Sequence, residues 1–169
     1  MNEAVPTGSE RADFVQSLDR HRFLLRHTLR GLSDEQAARR TTVSELTLAG
    51  LIKHVTLTER RWVAFIVEGP SAMSGQAMST WLDGFRMLEG ETVQGLLSAY
   101  DAVARQTDEL VHSLPDLDAS QSLPPRPWFE PGARWSARRV ILHIIAETAQ
   151  HAGHADIIRE SLDGAKSMG

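Results

Sequence analysis

The chain has 169 residues, 41% of them hydrophobic, carries a formal net charge of −4 and contains no cysteine. This length and apolar content predict a single domain over residues 1–169 with a flexible start at residues 1–8. The net negative charge and the absence of basic runs argue against nucleic acid as a partner. The absence of cysteine excludes disulfides, thiolate zinc sites and a cysteine nucleophile, and no apolar stretch reaches the roughly 18 residues of a membrane span, so we expect a cytoplasmic protein.

Two helical segments are predicted in the first quarter of the chain. Ser9 is a suitable N-cap for a helix over about residues 10–30, which Gly31 would end. Its apolar face carries Phe14, Leu18, Leu25 and Leu29. The sequence Ser-Asp-Glu-Gln at residues 33–36 matches a capping box, which predicts a short helical turn through Ala38.

A second long helix should begin after Thr47 and run to about Val67, because Gly69-Pro70 cannot continue it. His54 lies in the middle of its core-facing side, and Gly50 one turn earlier leaves room beside the imidazole. A lone histidine on an apolar face is more often a core residue than a metal ligand, so His54 does not define a site by itself.

Two long connections flank a third helix, which should span about residues 93–114. Residues 71–90 are rich in glycine, serine and methionine and read as an irregular connection, in which Trp81 and Phe85 either wall a pocket or anchor the loop. Residues 116–135 contain four prolines and are predicted to lack regular structure.

The last predicted helix spans about residues 137–162, between an N-cap at Ser136 and a stop at Asp163-Gly164. Beside its apolar arc, one narrow stripe carries four titratable side chains, which are His143, Glu147, His151 and His154. Four long helices with two long connections predict an all-α four-helix bundle, a fold in which metal sites are built from side chains on facing helices.

The pair Glu147 and His151 is spaced to share one cation, because residues four apart project one turn apart from the same helix face. Zinc and similar ions need three or more protein ligands, so a further ligand must come from another helix. His54 is the best candidate for this third ligand. The three residues together predict a metal site that none of them would predict alone.

The segments LTLAGLIKHVTLTERRW and HIIAETAQHAGHADIIRESLDG resemble the second and fourth helices of the DinB-like superfamily, in its actinobacterial branch related to mycothiol-dependent S-transferases and mycothiol-dependent maleylpyruvate isomerase. The resemblance covers nearly the whole chain. It implies a four-helix bundle, a homodimer and a divalent ion, commonly zinc or nickel, held between these two helices. It also implies His54, Glu147 and His151 as the ligands, in the His-Glu-His version of a site that many members build from three histidines. The carboxylate makes the ligand set harder and leaves the choice of metal open.

His154 and Arg61 are the remaining candidate catalytic residues. Arg61, on the helix face that carries His54, either receives the anionic thiol cofactor or forms a surface salt bridge. His154 can act as an extra ligand, as a proton acceptor or as a binding group for a substrate carboxylate, and we favour a role beside the ion over direct ligation, because three protein ligands leave the open position that catalysis requires. His143 is better explained as a packing group next to the site.

Several classes of function remain open at this level. The leading one is an enzyme whose metal activates an external low-molecular-weight thiol, mycothiol on the resemblance, for transfer to an electrophile or for a thiol-assisted isomerisation. The others are a metal-dependent hydrolase and a non-catalytic metal-binding stress-response module. A serine hydrolase is not supported, because the chain lacks a G-x-S-x-G motif.

Overall fold

The computed structural model describes residues 9–73 and 82–168, and over these residues the chain is mainly helical. The predicted all-α fold of DinB-like type is confirmed. The helices are α1 (Glu10–His27), α2 (Asp34–Ala37), α3 (Leu48–Glu68), α4 (Val93–Ser113) and α5 (Ala137–Asp163), with a 3₁₀ helix at Gly69–Met73 and two strands, β1 (Ser120–Ser122) and β2 (Arg134–Ser136).

All four long helices begin at the N-caps predicted from the sequence. In each of them, the hydroxyl of the N-cap accepts a hydrogen bond from the backbone N–H three residues later, which satisfies one of the free donors of the first turn. The capping residues are Ser9, Thr47, Thr92 and Ser136. The predicted capping box between Ser33 and Gln36 is also present. These short-range signals therefore define where each helix starts.

Helix α1 ends at His27, three residues earlier than predicted. The Thr28 hydroxyl donates to the Leu25 carbonyl at 2.7 Å. The guanidinium of Arg159 on α5 donates to the carbonyls of Thr28 at 2.6 Å and Arg30 at 2.9 Å. The carbonyls of Thr28 and Arg30 therefore have hydrogen-bond donors on α5, so α1 does not need to continue in order to satisfy them.

The bundle contains two apolar clusters with polar side chains between them. One cluster includes Leu25, Val55 and Ala152, and the other includes Leu18, Trp62 and Ile144. Between the two, every long helix contributes at least one buried polar residue, and we call the following four the central polar layer: Arg22, Glu59, Thr107 and Thr148. Glu59 Oε1 accepts hydrogen bonds from Arg22 Nη2 at 2.5 Å and from Thr107 Oγ1 at 2.6 Å, which links α1, α3 and α4.

The loop before α5 contains regular structure at both ends, so the prediction for residues 116–135 was wrong there. Strand β1 pairs antiparallel with β2, with Ser120 opposite Ser136. All four prolines lie between the strands, at residues 124–131, where they remove no ladder donor. Because β2 runs directly into the N-cap of α5, the pairing holds Trp135 against the start of that helix.

Three of the predictions fall at least partly on residues outside the described ranges: the flexible start at residues 1–8, the role of Trp81, and part of the irregular connection at residues 71–90. Within residues 9–73 and 82–168, no helix combines the length and the hydropathy of a membrane span. The single domain over residues 1–169 stays a prediction.

Candidate metal centre

Helices α3 and α5 bring together the three residues that the sequence singled out. His54 comes from α3, Glu147 and His151 come from α5, and one potential ligand atom from each lies within 4.8 Å of the others. A tetrahedral ion with bonds of 2.0–2.2 Å places its ligand atoms roughly 3.4 Å apart, so side-chain rotations of modest size would complete the site. In the part of the chain that the structure describes, no other three such side chains come this close.

His154 contacts His151 on the side away from Glu147. His151 Nε2 lies 3.6 Å from Glu147 Oε2, while His151 Nδ1 lies 3.3 Å from His154 Nδ1. His154 therefore binds the ring nitrogen that does not face the carboxylate, and it lies outside the three-residue cluster. This contact fixes the orientation of the His151 ring.

The His54 ring is held between three neighbours. It stacks on Phe85 with centroids 4.0 Å apart, meets the His151 ring edge-on at 4.8 Å, and places Nε2 3.5 Å from Thr58 Oγ1. Phe85 reaches this position because its backbone passes close to α3: a Cβ at residue 50 would lie 2.0 Å from the Phe85 carbonyl oxygen. Gly50 leaves room as expected, and the backbone of the 82–91 segment uses that room.

His143 lies beside Glu147 within an aromatic group. Its Nε2 lies 3.8 Å from Glu147 Oε1, and its ring meets Trp62 at 4.8 Å and Trp135 at 5.1 Å, both edge-on. The two indoles stack on each other at 4.9 Å. These rings hold the imidazole in place next to the carboxylate, which agrees with its interpretation as a packing group beside the site.

The electrostatics favour the protonation states that bind a cation. Burial, together with the nearby charges of His151 and Arg61, lowers the pKa of His54 to about 4, so this imidazole is neutral at pH 7. The His151 ring, whose Nε2 lies 3.6 Å from Oε2, and the neighbouring imidazoles lower the pKa of Glu147, which is therefore a carboxylate. A neutral imidazole beside a carboxylate is a ready donor set for a divalent ion.

Arg61 lies on α3 outside the three-residue cluster and is half-buried. Burial and the charge of Arg126 lower its pKa. Its charge in turn acts on His54, so it contributes positive potential to the site. The sequence left Phe85 either to wall a pocket or to anchor the loop, and its ring packs on His54. The contacts of Trp62 and Trp135 with His143 were not anticipated, although Trp135 directly precedes the N-cap of α5.

Solved structures with the same fold carry little sequence identity to this chain. A conserved protein from Enterococcus faecalis is 11% identical with a TM-score of 0.70, and the match covers 94% of this chain and 100% of that one. A sibling lethal factor precursor, DfsB, is 16% identical with a TM-score of 0.66 and the same coverage. At these identities the likeness shows the fold alone.

No curated protein matches the chain significantly. A family model does match: the model described as mycothiol S-transferase aligns with residues 13–164, which is most of the sequence. The predicted resemblance to the DinB-like superfamily is confirmed by this match. The chain belongs to the mycothiol S-transferase family of the DinB-like superfamily.

Proposed function

We propose that the protein is a divalent-metal-dependent S-transferase, which activates a low-molecular-weight thiol, mycothiol, for transfer to an electrophilic carbon. The observation that carries this proposal is the convergence of His54, Glu147 and His151 in a chain whose family is named for mycothiol S-transfer. We assign the reaction to the cytoplasm, where thiols are kept reduced.

The donor set fits zinc or nickel, since both ions accept two imidazoles together with one carboxylate, and three protein ligands leave a position open for substrate. An ion bound there supplies Lewis acidity, which keeps a thiol in its nucleophilic thiolate form near neutral pH. Because the chain has no cysteine, the attacking sulfur must belong to the substrate thiol.

The protonation of His151 and His154 and the charge of Arg61 determine how the chain would support a bound ion and its thiolate. If His151 binds the ion through Nε2, its remaining proton is on Nδ1 and is donated to His154 Nδ1. His154 then carries its own proton on Nε2, so this tautomer favours a positioning role for His154 over a role as proton acceptor. Arg61 adds positive potential that favours an anionic nucleophile.

The metal site is tested by the metal content of purified protein after exposure to zinc or nickel. We expect about one ion per chain in the wild type and a large loss in His54→Ala and His151→Ala. His112→Ala serves as the control, because this histidine is exposed on α4. Equal metal content in all four proteins would exclude the proposed ligands.

The reaction is tested by depletion of mycothiol, bacillithiol or glutathione in the presence of an electrophile. The metal-loaded wild type should consume mycothiol fastest, whereas metal-free protein and His54→Ala should stay at the uncatalysed rate. Ester or amide hydrolysis without thiol consumption would point to a hydrolase instead. Metal binding without any turnover would point to a non-catalytic metal-binding module.

A further inference from the structure

Three arginines, Arg61, Arg126 and Arg139, lie near the His143 end of the candidate metal centre. Helices α3 and α5 are antiparallel along the site, because His54 contacts His151 while Trp62, eight residues on, contacts His143. Arg61 directly precedes Trp62 on α3. It therefore lies toward the His143 end of the site.

Arg139 reaches the same end from α5. Its guanidinium lies 4.9 Å from the centroid of the Trp135 ring, and Trp135 contacts His143, which lies 3.8 Å from Glu147. Arg139 precedes Glu147 by eight residues, or about 12 Å of helix. A substrate that reaches from the metal centre to the Arg139 guanidinium would therefore need to span about 12 Å or less.

Arg126 reaches the same region from the loop between the strands. The backbone N–H of Phe129 donates to the Arg126 carbonyl at 3.1 Å, and the Phe129 ring packs on Trp135 at 5.8 Å. The side chain donates to the Met73 carbonyl at 3.2 Å and is exposed. The charge of Arg126 is close enough to lower the pKa of Arg61, after the larger effect of burial.

Among the described residues, Arg126 and Arg139, the two exposed arginines of this region, form no ion pair. Among residues 9–73 and 82–168, no carboxylate lies within ion-pair distance of Arg126 or Arg139, and the sequence of residues 74–81 contains no acidic residue. This concentration of cations occurs in a chain whose net charge is −4. Arg139 and the segment that carries Arg126 both meet Trp135, and arginines brought to one region in this way can bind an anion such as a carboxylate.

We propose that Arg126 and Arg139 bind a carboxylate of the electrophilic substrate and so place its reactive carbon at the candidate metal centre. This inference rests on the proposed function and defines its substrate class as anionic electrophiles. The two arginines come from different elements, so they are specificity-determining residues that a single motif would not reveal.

The test compares two electrophiles that differ only in charge, 4-chloro-3-nitrobenzoate and 4-chloro-3-nitrobenzamide. In both, the thiolate sulfur forms a bond to the ring carbon, the C–Cl bond breaks and chloride leaves, while the thiol proton passes to the buffer. With rates divided by the uncatalysed rate, we expect wild-type kcat/KM to favour the benzoate by about tenfold, as charged hydrogen bonds allow.

Arg126→Gln and Arg139→Gln should each remove most of this preference by raising KM for the benzoate, with the benzamide unaffected. Arg105→Gln is the matched control, because Arg105 is exposed on α4, away from the site. Equal losses for both electrophiles, or no preference in the wild type, would overturn the inference and leave the proposed function intact.

Binding is measured separately, so that the two proposals can fail independently. Without thiol or metal, the benzoate should shift the NMR signal of the Trp135 indole N–H, and Arg126→Gln should weaken this binding about tenfold. This result would support the anion site even if no thiol were ever consumed. Equal shifts with the benzamide would overturn the anion site.

Discussion

The hydrogen bond between His151 and His154 leads to a prediction for a single side chain. A positioning residue acts through its neighbour, so His154→Ala should weaken metal binding by about 10–100-fold. His154→Gln should recover part of that loss, because an amide oxygen can accept the proton of His151 Nδ1. Competition with a metal indicator measures both affinities.

The alternative role of His154 predicts a different pattern. If His154 were a proton acceptor, His154→Ala and His154→Gln would both lower kcat while metal occupancy stayed at the wild-type level. Metal affinity and kcat measured on the same samples distinguish the two roles.

The lowered pKa of His54 predicts that the metal-free protein is less stable in mild acid. The unfolded imidazole titrates near 6.5 and the folded one at about 4, so the unfolded state binds more protons between these values. The contribution of His54 is complete above pH 6.5 and decreases as pH falls toward 4, by at most about 3 kcal/mol. Urea unfolding at pH 7.0 and pH 4.5 measures the loss.

His54→Asn separates this effect from other titrations. The variant should lose less stability than the wild type between the two pH values, whereas His112→Asn, at an exposed site, should lose as much as the wild type. Identical losses in His54→Asn and wild type would contradict the assignment.

For single residues, the sequence predicts that the candidate ligands lie close together, but it does not predict which side chains surround them. Glu147 and His151 share a face by helical geometry, and His54 lies on the facing helix between recognisable ends. The ring of Phe85 on His54 and the ring of Trp135 beside His143 come from loops, whose paths depend on contacts distant in sequence. Periodicity carries no information about such contacts.

Among the secondary-structure elements, α3 and the 82–91 segment are joined by a close backbone approach. Gly50→Ala should destabilise the protein by about 1–3 kcal/mol, because the added methyl group overlaps the Phe85 carbonyl. It should also weaken metal binding, because Phe85 supports the His54 ring. Thermal unfolding and a metal-affinity measurement test both effects.

Gly95→Ala is the matched control for this change. Gly95 has the same position in α4 that Gly50 has in α3, three residues after a threonine N-cap, but a Cβ there would meet only the Thr92 hydroxyl, at 3.2 Å. Its effect on stability should be the smaller of the two, with metal affinity unchanged. Equal losses of stability in Gly50→Ala and Gly95→Ala would show that the Phe85 carbonyl does not restrict the size of the side chain at residue 50.

The central polar layer predicts an unequal response to single and double substitutions. Glu59→Leu removes the buried partner of Arg22, which keeps only the partly exposed Asp108 and the exposed Asp19, and should cost about 3 kcal/mol. The double variant Arg22→Met, Glu59→Leu should recover most of that loss, because apolar groups of similar size replace the pair. Denaturant unfolding of the three proteins gives the values, and a double variant no more stable than Glu59→Leu would contradict the argument.

The helices were predictable at their starts because capping signals are local. The strands β1 and β2 were missed because each has three residues, and their pairing spans a proline-rich loop. The burial of Arg22 was also missed, because a charged residue between Leu18 and Leu25 gives no sign of the acidic partner on α3.

For the whole molecule, the exposed face of α5 predicts how two copies associate. Leu142 is 45% exposed and Ile157 is 62% exposed, and small residues lie between them on the same face. We expect the homodimer that the resemblance implies to form through this face. Light scattering at micromolar concentration should give twice 18.7 kDa for the wild type and 18.7 kDa for Leu142→Glu, Ile157→Glu.

Trp128→Ser is the control for the linkers, since this indole is 72% exposed in the proline-rich loop. The variant should remain dimeric. A wild-type mass near 18.7 kDa would exclude the dimer at these concentrations.

The division of the candidate ligands between α3 and α5 has a consequence for how the protein is made in the cell. A ribosome synthesises His54 well before Glu147 and His151, so a nascent chain ending before α5 presents a single imidazole, which holds zinc or nickel only weakly. On the proposed ligand set, loading would wait until α5 has emerged and docked. A metal ion would then bind to the completed molecule after synthesis and not to the nascent chain.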